Sequence, residues 1–122
     1  MICRVWRGWT TQENAQNYDD YLQKDLFPHL QQELRTHGFL GYQLLRLTRD
    51  GEAEFMTMLY FESIEKVRAF AGEIYETPVI SAKARALLSH YADRADHYQV
   101  SGFQVDSSGE RWIPRSKSHV IS

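Results

Sequence analysis

Five histidines, a single cysteine and a few arginines in apolar runs are the side chains in this sequence with chemistry to offer. His29, His37, His90, His97 and His119 form no H-x-H, H-E-x-x-H or Cys-His pattern. A metal centre needs several such ligands converging, so none is expected. At about 100° per residue, His29 falls on the edge of a helix face carrying Tyr18, Leu22 and Leu26. A half-buried imidazole there could hold a ligand or move a proton. His97, beside Tyr98 in the last apolar run, could also point into a cavity. Arg46 sits in an apolar strand-like run, where a cation needs a partner or an anionic ligand unless its stem carries the charge out to water. His97, His29 and Arg46 are therefore the candidate catalytic groups. Trp6, Tyr42 and Phe61 are the candidate ligand-binding walls, because small-molecule sites combine an apolar, aromatic lining with a few polar groups. Plainer roles compete with these. His37 and His90 suit helix C-termini, where a partly positive ring is favourable. Trp6, Trp9, Tyr18, Tyr21 and Phe61 suit a core or an interface equally well. No base can be placed beside Cys3, which leaves it unsupported as a nucleophile. The sequence holds no paired carboxylates, nucleophile elbow, P-loop or dinucleotide fingerprint.

The elements that must position these residues follow from local pattern. Ile2 to Trp9 reads as a strand, and Thr10 with Glu13 three residues later predicts a capping box. Ala15, Tyr18, Leu22, Leu26, Leu30 and Leu34 recur at helical spacing until Gly38, a left-handed stop. Pro28 lacks the amide of a regular ladder and predicts a kink. Asp50-Gly51 predicts a two-residue type I′ hairpin joining strands Phe39–Thr48 and Ala53–Phe61. Its register sets Arg49 against Glu52, Arg46 against Phe55, Leu45 against Met56 and Tyr42 against Leu59. Ser63 caps a short helix with Ile64, Val67, Phe70 and Ala71 on one face, ended by Gly72. A loop containing Pro78 leads to Ser81, the cap of a further helix striped by Ala84, Leu87, Leu88 and Tyr91. Ala95 to Val105 reads as the last strand. The order is β-α-β-β-α-β: an α+β, ferredoxin-like fold with an antiparallel sheet, in one domain over residues 1–105. A tail over residues 106–122 follows, either disordered or packed on a partner subunit through Trp112, Ile113 and Pro114.

Bulk properties narrow the class. A chain of 122 residues, 43% apolar and 13% aromatic, can bury one core. Its net charge is −2 and its cations are scattered, so the basic stripe of a nucleic-acid binder is missing. One cysteine and no export signal favour a cytoplasmic location, and no apolar run is long enough to span a bilayer.

Both faces of the hairpin are apolar. Leu40, Tyr42, Leu44, Phe55, Leu59 and Phe61 lie on one face, and Leu45, Leu47, Met56, Met58 and Tyr60 on the other. An antiparallel sheet with one wet face should alternate apolar and polar residues. Right-handed crossovers put both helical segments on the same side, which leaves the second face uncovered. A homodimer pairing two such faces is the expected solution, the alternative being a monomer whose tail covers its own sheet.

Laid out in this way, the chain resembles the antibiotic-biosynthesis-monooxygenase family of dimeric α+β barrels. The resembling segments are "VWRGWTTQENAQNYDDYL", "FPHL", "GFLGYQLLR", "EFMTMLYFESIEKVRAFAGEIYE" and "ARALLSHYADRADHYQV", covering roughly residues 1 to 103. The resemblance implies a homodimer with a pocket between each sheet and its helices. It also implies oxidation of a small aromatic or quinone-like compound by molecular oxygen, without metal, flavin or other cofactor. Such a pocket would stabilise a substrate anion with hydrogen-bond donors in a dry cavity. The chain departs from the family at Phe61, where tryptophan is common. The haem-degrading branch expects tryptophan near Phe70 and a histidine ligand near Ile80, which argues against haem degradation. The alternative to an enzyme is a non-catalytic dimer that binds a small ligand or serves in assembly. An enclosed void with two or more polar groups favours the enzyme, and a solid core favours the module.

Overall fold

The structure, a computed structural model, describes residues 1–105. The tail over residues 106–122 lies outside the described residues. Eight segments organise the chain around one sheet: β1 (Ile2–Thr11), a long helix, the hairpin β2 (Phe39–Arg49) and β3 (Glu52–Phe61), α3 (Ile64–Ala71), α4 (Ala82–Leu87), a two-residue β4 (His90–Tyr91) and β5 (Asp96–Gln99). The long helix comprises α1 (Gln12–Asp20), a π-helical turn (Tyr21–Leu26), α2 (Phe27–Leu34) and a 3₁₀ turn (Arg35–His37). β1 lies at the centre of the sheet. It pairs antiparallel with β3 on one side and with β4 and β5 on the other, while β2 forms the far edge. This is the antiparallel, helix-backed α+β arrangement expected of a ferredoxin-like chain.

The hairpin forms as its turn residues dictate. Asp50 and Gly51 take φ of 53° and 79°, the two positive values a type I′ turn requires. The ladder pairs Arg49 with Glu52, Arg46 with Phe55, Leu45 with Met56 and Tyr42 with Leu59. At its far end a bulge between Phe39 and Gly41 inserts one residue. Phe39 therefore replaces Leu40 on the covered face: Phe39 is buried, and Leu40 is 51% exposed.

Three other boundaries differ from expectation, each for a local reason. The β1–β3 ladder continues through Thr10 and Thr11, so Thr11, not Thr10, is the N-cap and accepts from the Asn14 amide. Helix α4 ends at Leu87 because Leu88 is extended. Tyr91, expected on its stripe, instead pairs with Gly8 in the sheet, and His90 is in a strand rather than at a helix end. The last strand stops at Gln99 rather than Val105. Ser63 and Ser81 cap their helices as expected, and Gly38 closes the long helix at φ 92°.

The break expected near Pro28 takes the form of the π-helical turn. Phe27 N–H reaches back to the Leu22 carbonyl, five residues away, just before the proline that has no N–H to give. The helices lie over one face of the sheet only. Tyr18, Leu22, Phe27 and Leu30 pack with Val67 against Phe39, Phe55, Leu59 and Phe61. Edge-on ring pairs knit this core, with Tyr18–Phe55 at 5.0 Å and Phe39–Phe61 at 5.5 Å between centroids. On the opposite face Leu45 and Leu47 are each 47% exposed, Tyr98 is 56% exposed and Phe103 57%. No described helix is long and apolar enough to cross a membrane.

Candidate functional site

Strand alternation decides what β1 presents to the helices. Arg4 lies opposite Leu59, and Trp6 opposite Thr57, so both face the covered side. Cys3 and Val5 face the open side with Tyr60 and Met58. Between this part of the sheet and the helices the packing is incomplete, leaving a cavity of about 320 Å³. Arg4, Trp6 and Thr57 form its sheet wall and Tyr18, Leu22, Phe27 and Leu30 its helix wall. Phe70 and the stretch from Pro78 to Ser81 close a third side. The lining is mostly apolar, with Arg4, Tyr18, Tyr21, His29, Thr57 and Ser81 supplying polar atoms. Among the described residues no acidic side chain lines it.

Arg4 is the deepest charge, only 4% exposed. Its Nη1 donates to the Tyr75 carbonyl and to His97 Nε2 at 3.0 Å, and its Nη2 donates to the Thr77 carbonyl at 3.1 Å. The guanidinium carbon lies 5.5 Å from the Phe70 ring centroid. Burial lowers its pKa to about 10, which keeps it cationic at neutral pH. Among the described residues no carboxylate pairs with it. Its bonds to Tyr75 and Thr77 also hold residues 72–81, the segment that closes the cavity.

His97 stands beside Arg4 because β5 pairs Arg4 directly with it. Burial and then the Arg4 charge lower its pKa, outweighing Glu76 and Asp96. A neutral ring whose Nε2 accepts from Arg4 must carry its proton on Nδ1. The Tyr18 hydroxyl makes no hydrogen bond among the described residues. Burial, then Tyr21, raises its pKa, which keeps it a neutral donor. At the mouth, Tyr21 and Ser81 share a hydrogen bond of 2.6 Å between hydroxyls, and His29, expected to be half-buried, lines the cavity as an exposed residue.

Of the candidate residues, the structure brings Trp6 and His29 to the cavity wall, and His97 reaches it through Arg4. Trp6 is fixed by its Nε1–H donating to the Ala92 carbonyl at 2.8 Å. The other three lie elsewhere. Arg46 is exposed, paired with Asp19 at 3.0 Å and resting over Phe55, so its charge has the partner that a ligand would have supplied. Tyr42 stacks on Phe27 at 4.0 Å, outside the lining. Phe61 is fully buried between Phe39 and Phe70. Arg4 was missed, although it stands two residues from Trp6 and therefore on the same strand face. Its signal was ambiguous because Cys3 and Val5 make the other face of β1 equally apolar. Among the described residues, no three His, Cys, Asp or Glu side chains gather as a metal centre would require.

No family model and no curated protein matches the chain. Solved structures do. The haem degrader MhuD from Mycobacterium tuberculosis, determined with two haems bound in its active site, superposes with a TM-score of 0.50 and 20% identity, over 87% of this chain and 100% of that one. A candidate antibiotic biosynthesis monooxygenase from Bacillus cereus superposes with a TM-score of 0.54 and 16% identity, over 86% of this chain and 98% of the other. At these identities the likeness is one of fold, and it is the fold the resemblance in sequence implied.

Proposed function

We propose that the chain is a cofactor-independent monooxygenase acting on a small aromatic or quinone-like compound in the cavity between sheet and helices, and that it works as a homodimer. The observation that carries this reading is the cavity: apolar, aromatic-walled and supplied with hydrogen-bond donors, where a solid core would have been the ordinary outcome of packing. In the reaction, one atom of molecular oxygen enters the substrate and the other leaves as water. The substrate itself supplies the two electrons and two protons, so no resident redox group is required. What the protein contributes is a dry enclosure and fixed donors for the anion formed when the substrate loses a proton. Tyr18 and Arg4 are those donors, His29 at the mouth is the base within reach, and His97 holds Arg4 in position. The haem bound by the Mycobacterium protein is not carried over: Phe70 and Ile80 stand on the cavity wall here, and among the described residues His29 is the one imidazole lining it. The exposed apolar face of the sheet supports the dimer, since a patch of that kind normally marks an interface.

Oxygen uptake with a panel of dihydroxynaphthalenes and larger polyphenols tests the proposal. Ala84 is buried in the cavity wall, so Ala84→Trp fills the space while changing no polar group. Uptake is expected in the parent and lost in a folded Ala84→Trp variant. Uptake unchanged in that variant, or in a His29→Ala, His97→Ala double variant, would remove these roles. Ligand binding without uptake would leave a non-catalytic binding module.

A further inference from the structure

Arg4 poses a charge problem that its protein partners do not solve. It is the only charged residue in the buried interior of the described chain. Its three partners are two carbonyls and a neutral imidazole, which orient the guanidinium without neutralising it. An isolated buried charge is strongly disfavoured, so a cation kept here is suited to a counter-ion from outside. The geometry leaves room for one. A guanidinium has five N–H groups, and the three bonds to Tyr75, His97 and Thr77 leave one on Nη2 and the one on Nε uncommitted. Both belong to a side chain lining a cavity to which the described residues bring no acidic group. The unpartnered Tyr18 hydroxyl, on a residue only 2% exposed, adds a neutral donor on the facing wall.

We infer that the cavity takes compounds with a flat apolar body and a permanent carboxylate, the carboxylate pairing with Arg4 and the body lying among Trp6, Leu22, Leu30 and Phe70. Two free N–H groups match the two oxygens of a carboxylate. A phosphate, with a further oxygen and a second charge, would need more donors than this wall offers. The inference rests on the reading of the cavity as a ligand site, but not on any oxygen chemistry there. Because Arg4 also holds the Tyr75 and Thr77 carbonyls, a bound anion would sit against the segment that closes the cavity.

Calorimetric titration with benzoate, 2-naphthoate and anthracene-2-carboxylate, each against its neutral amide and under nitrogen, tests this directly. At least one acid should bind about tenfold or more tightly than its amide, the preference expected of a charge-assisted bond in a dry site. Arg4→Gln should bring that ratio to about one, and Arg4→Lys should keep part of it. Should Arg4→Gln fail to fold, the comparison of acid and amide in the parent protein decides alone. Equal affinities, a preference for the amides, or no binding of any acid would overturn the inference. Oxygen uptake with neutral polyphenols and no acid binding would spare the oxygenase proposal and sink this one. Acid binding without turnover of any substrate would do the reverse.

Discussion

Leu45→Lys should convert the proposed dimer into a folded monomer, and the size of the effect can be worked from the sheet. Leu45 lies on the uncovered face opposite Met56, beside Leu47, and is 47% exposed. Full burial of a leucine side chain is worth roughly 1.5–3 kcal/mol, so covering the remaining half contributes about 1 kcal/mol. In a two-fold dimer each substitution enters twice, which makes about 2 kcal/mol from apolar burial alone. At about 1.4 kcal/mol per decade, that weakens dimerisation about thirtyfold. Each ammonium taken from water into the interface costs several kcal/mol more, so the total loss should exceed about a thousandfold. In the monomer the same lysine remains in solvent, so the fold should survive. Sedimentation equilibrium across a range of concentrations measures the dissociation constant, and far-ultraviolet circular dichroism checks folding. A parent protein that sediments as a well-behaved monomer throughout, or a Leu45→Lys variant with an unchanged constant, would refute the reasoning.

The His97 environment sets a pH dependence. Its folded pKa lies below the ordinary 6.5, so the unfolded chain takes up a proton first as acid is added. Its contribution to stability should be complete above about pH 6.5 and lost as pH falls through the lower folded value. Urea midpoints at about pH 7.5 and about pH 5 should show this loss in the parent, and less of it in His97→Gln, which keeps an acceptor for Arg4 but cannot titrate; identical profiles would exclude the role. Gly38→Ala should destabilise by about 1–2 kcal/mol from the left-handed backbone alone, and by more if Lys66 cannot move, since a Cβ at Gly38 would overlap the Lys66 side chain. A urea midpoint equal to that of the parent would show that the 3₁₀ turn relaxes freely.

The features legible in the sequence were those set by one or two residues acting locally. Asp50-Gly51 fixes its turn and with it the pairing of the whole hairpin, and a serine ahead of an amphipathic run marks each short helix. What could not be read depended on longer ladders. Thr10 and Thr11 both suit a cap, and only the extra pairs with Ala53 and Glu52 decide between them. The bulge that ejects Leu40 leaves no mark beyond Gly41. The same limit applied to the site. Histidine draws attention by type, yet cavity geometry depends on which face of β1 the helices cover. With apolar residues on both faces, that choice belonged to the topology, and Arg4 was hidden by it. Arg46 looked like the buried cation because the Asp19 that pairs with it lies 27 residues away.

The wide turn over Tyr21–Leu26 has a consequence for how this protein tolerates change in length. A π-helical turn accommodates one residue more than a regular coil would, so everything after it is rotated relative to everything before. Tyr18 precedes the turn, Leu22 and Leu26 lie within it, and Leu30 follows it, yet all four reach the same hollow. The same residues wound as an ordinary spiral would spin its second half by about 100°. Leu30 and His29 would then swing away from Tyr18, even with every other side chain unaltered. Loss of one residue within this short span would instead close the wide turn and keep both walls of the chamber, so a shortening should be tolerated here better than elsewhere along the helix.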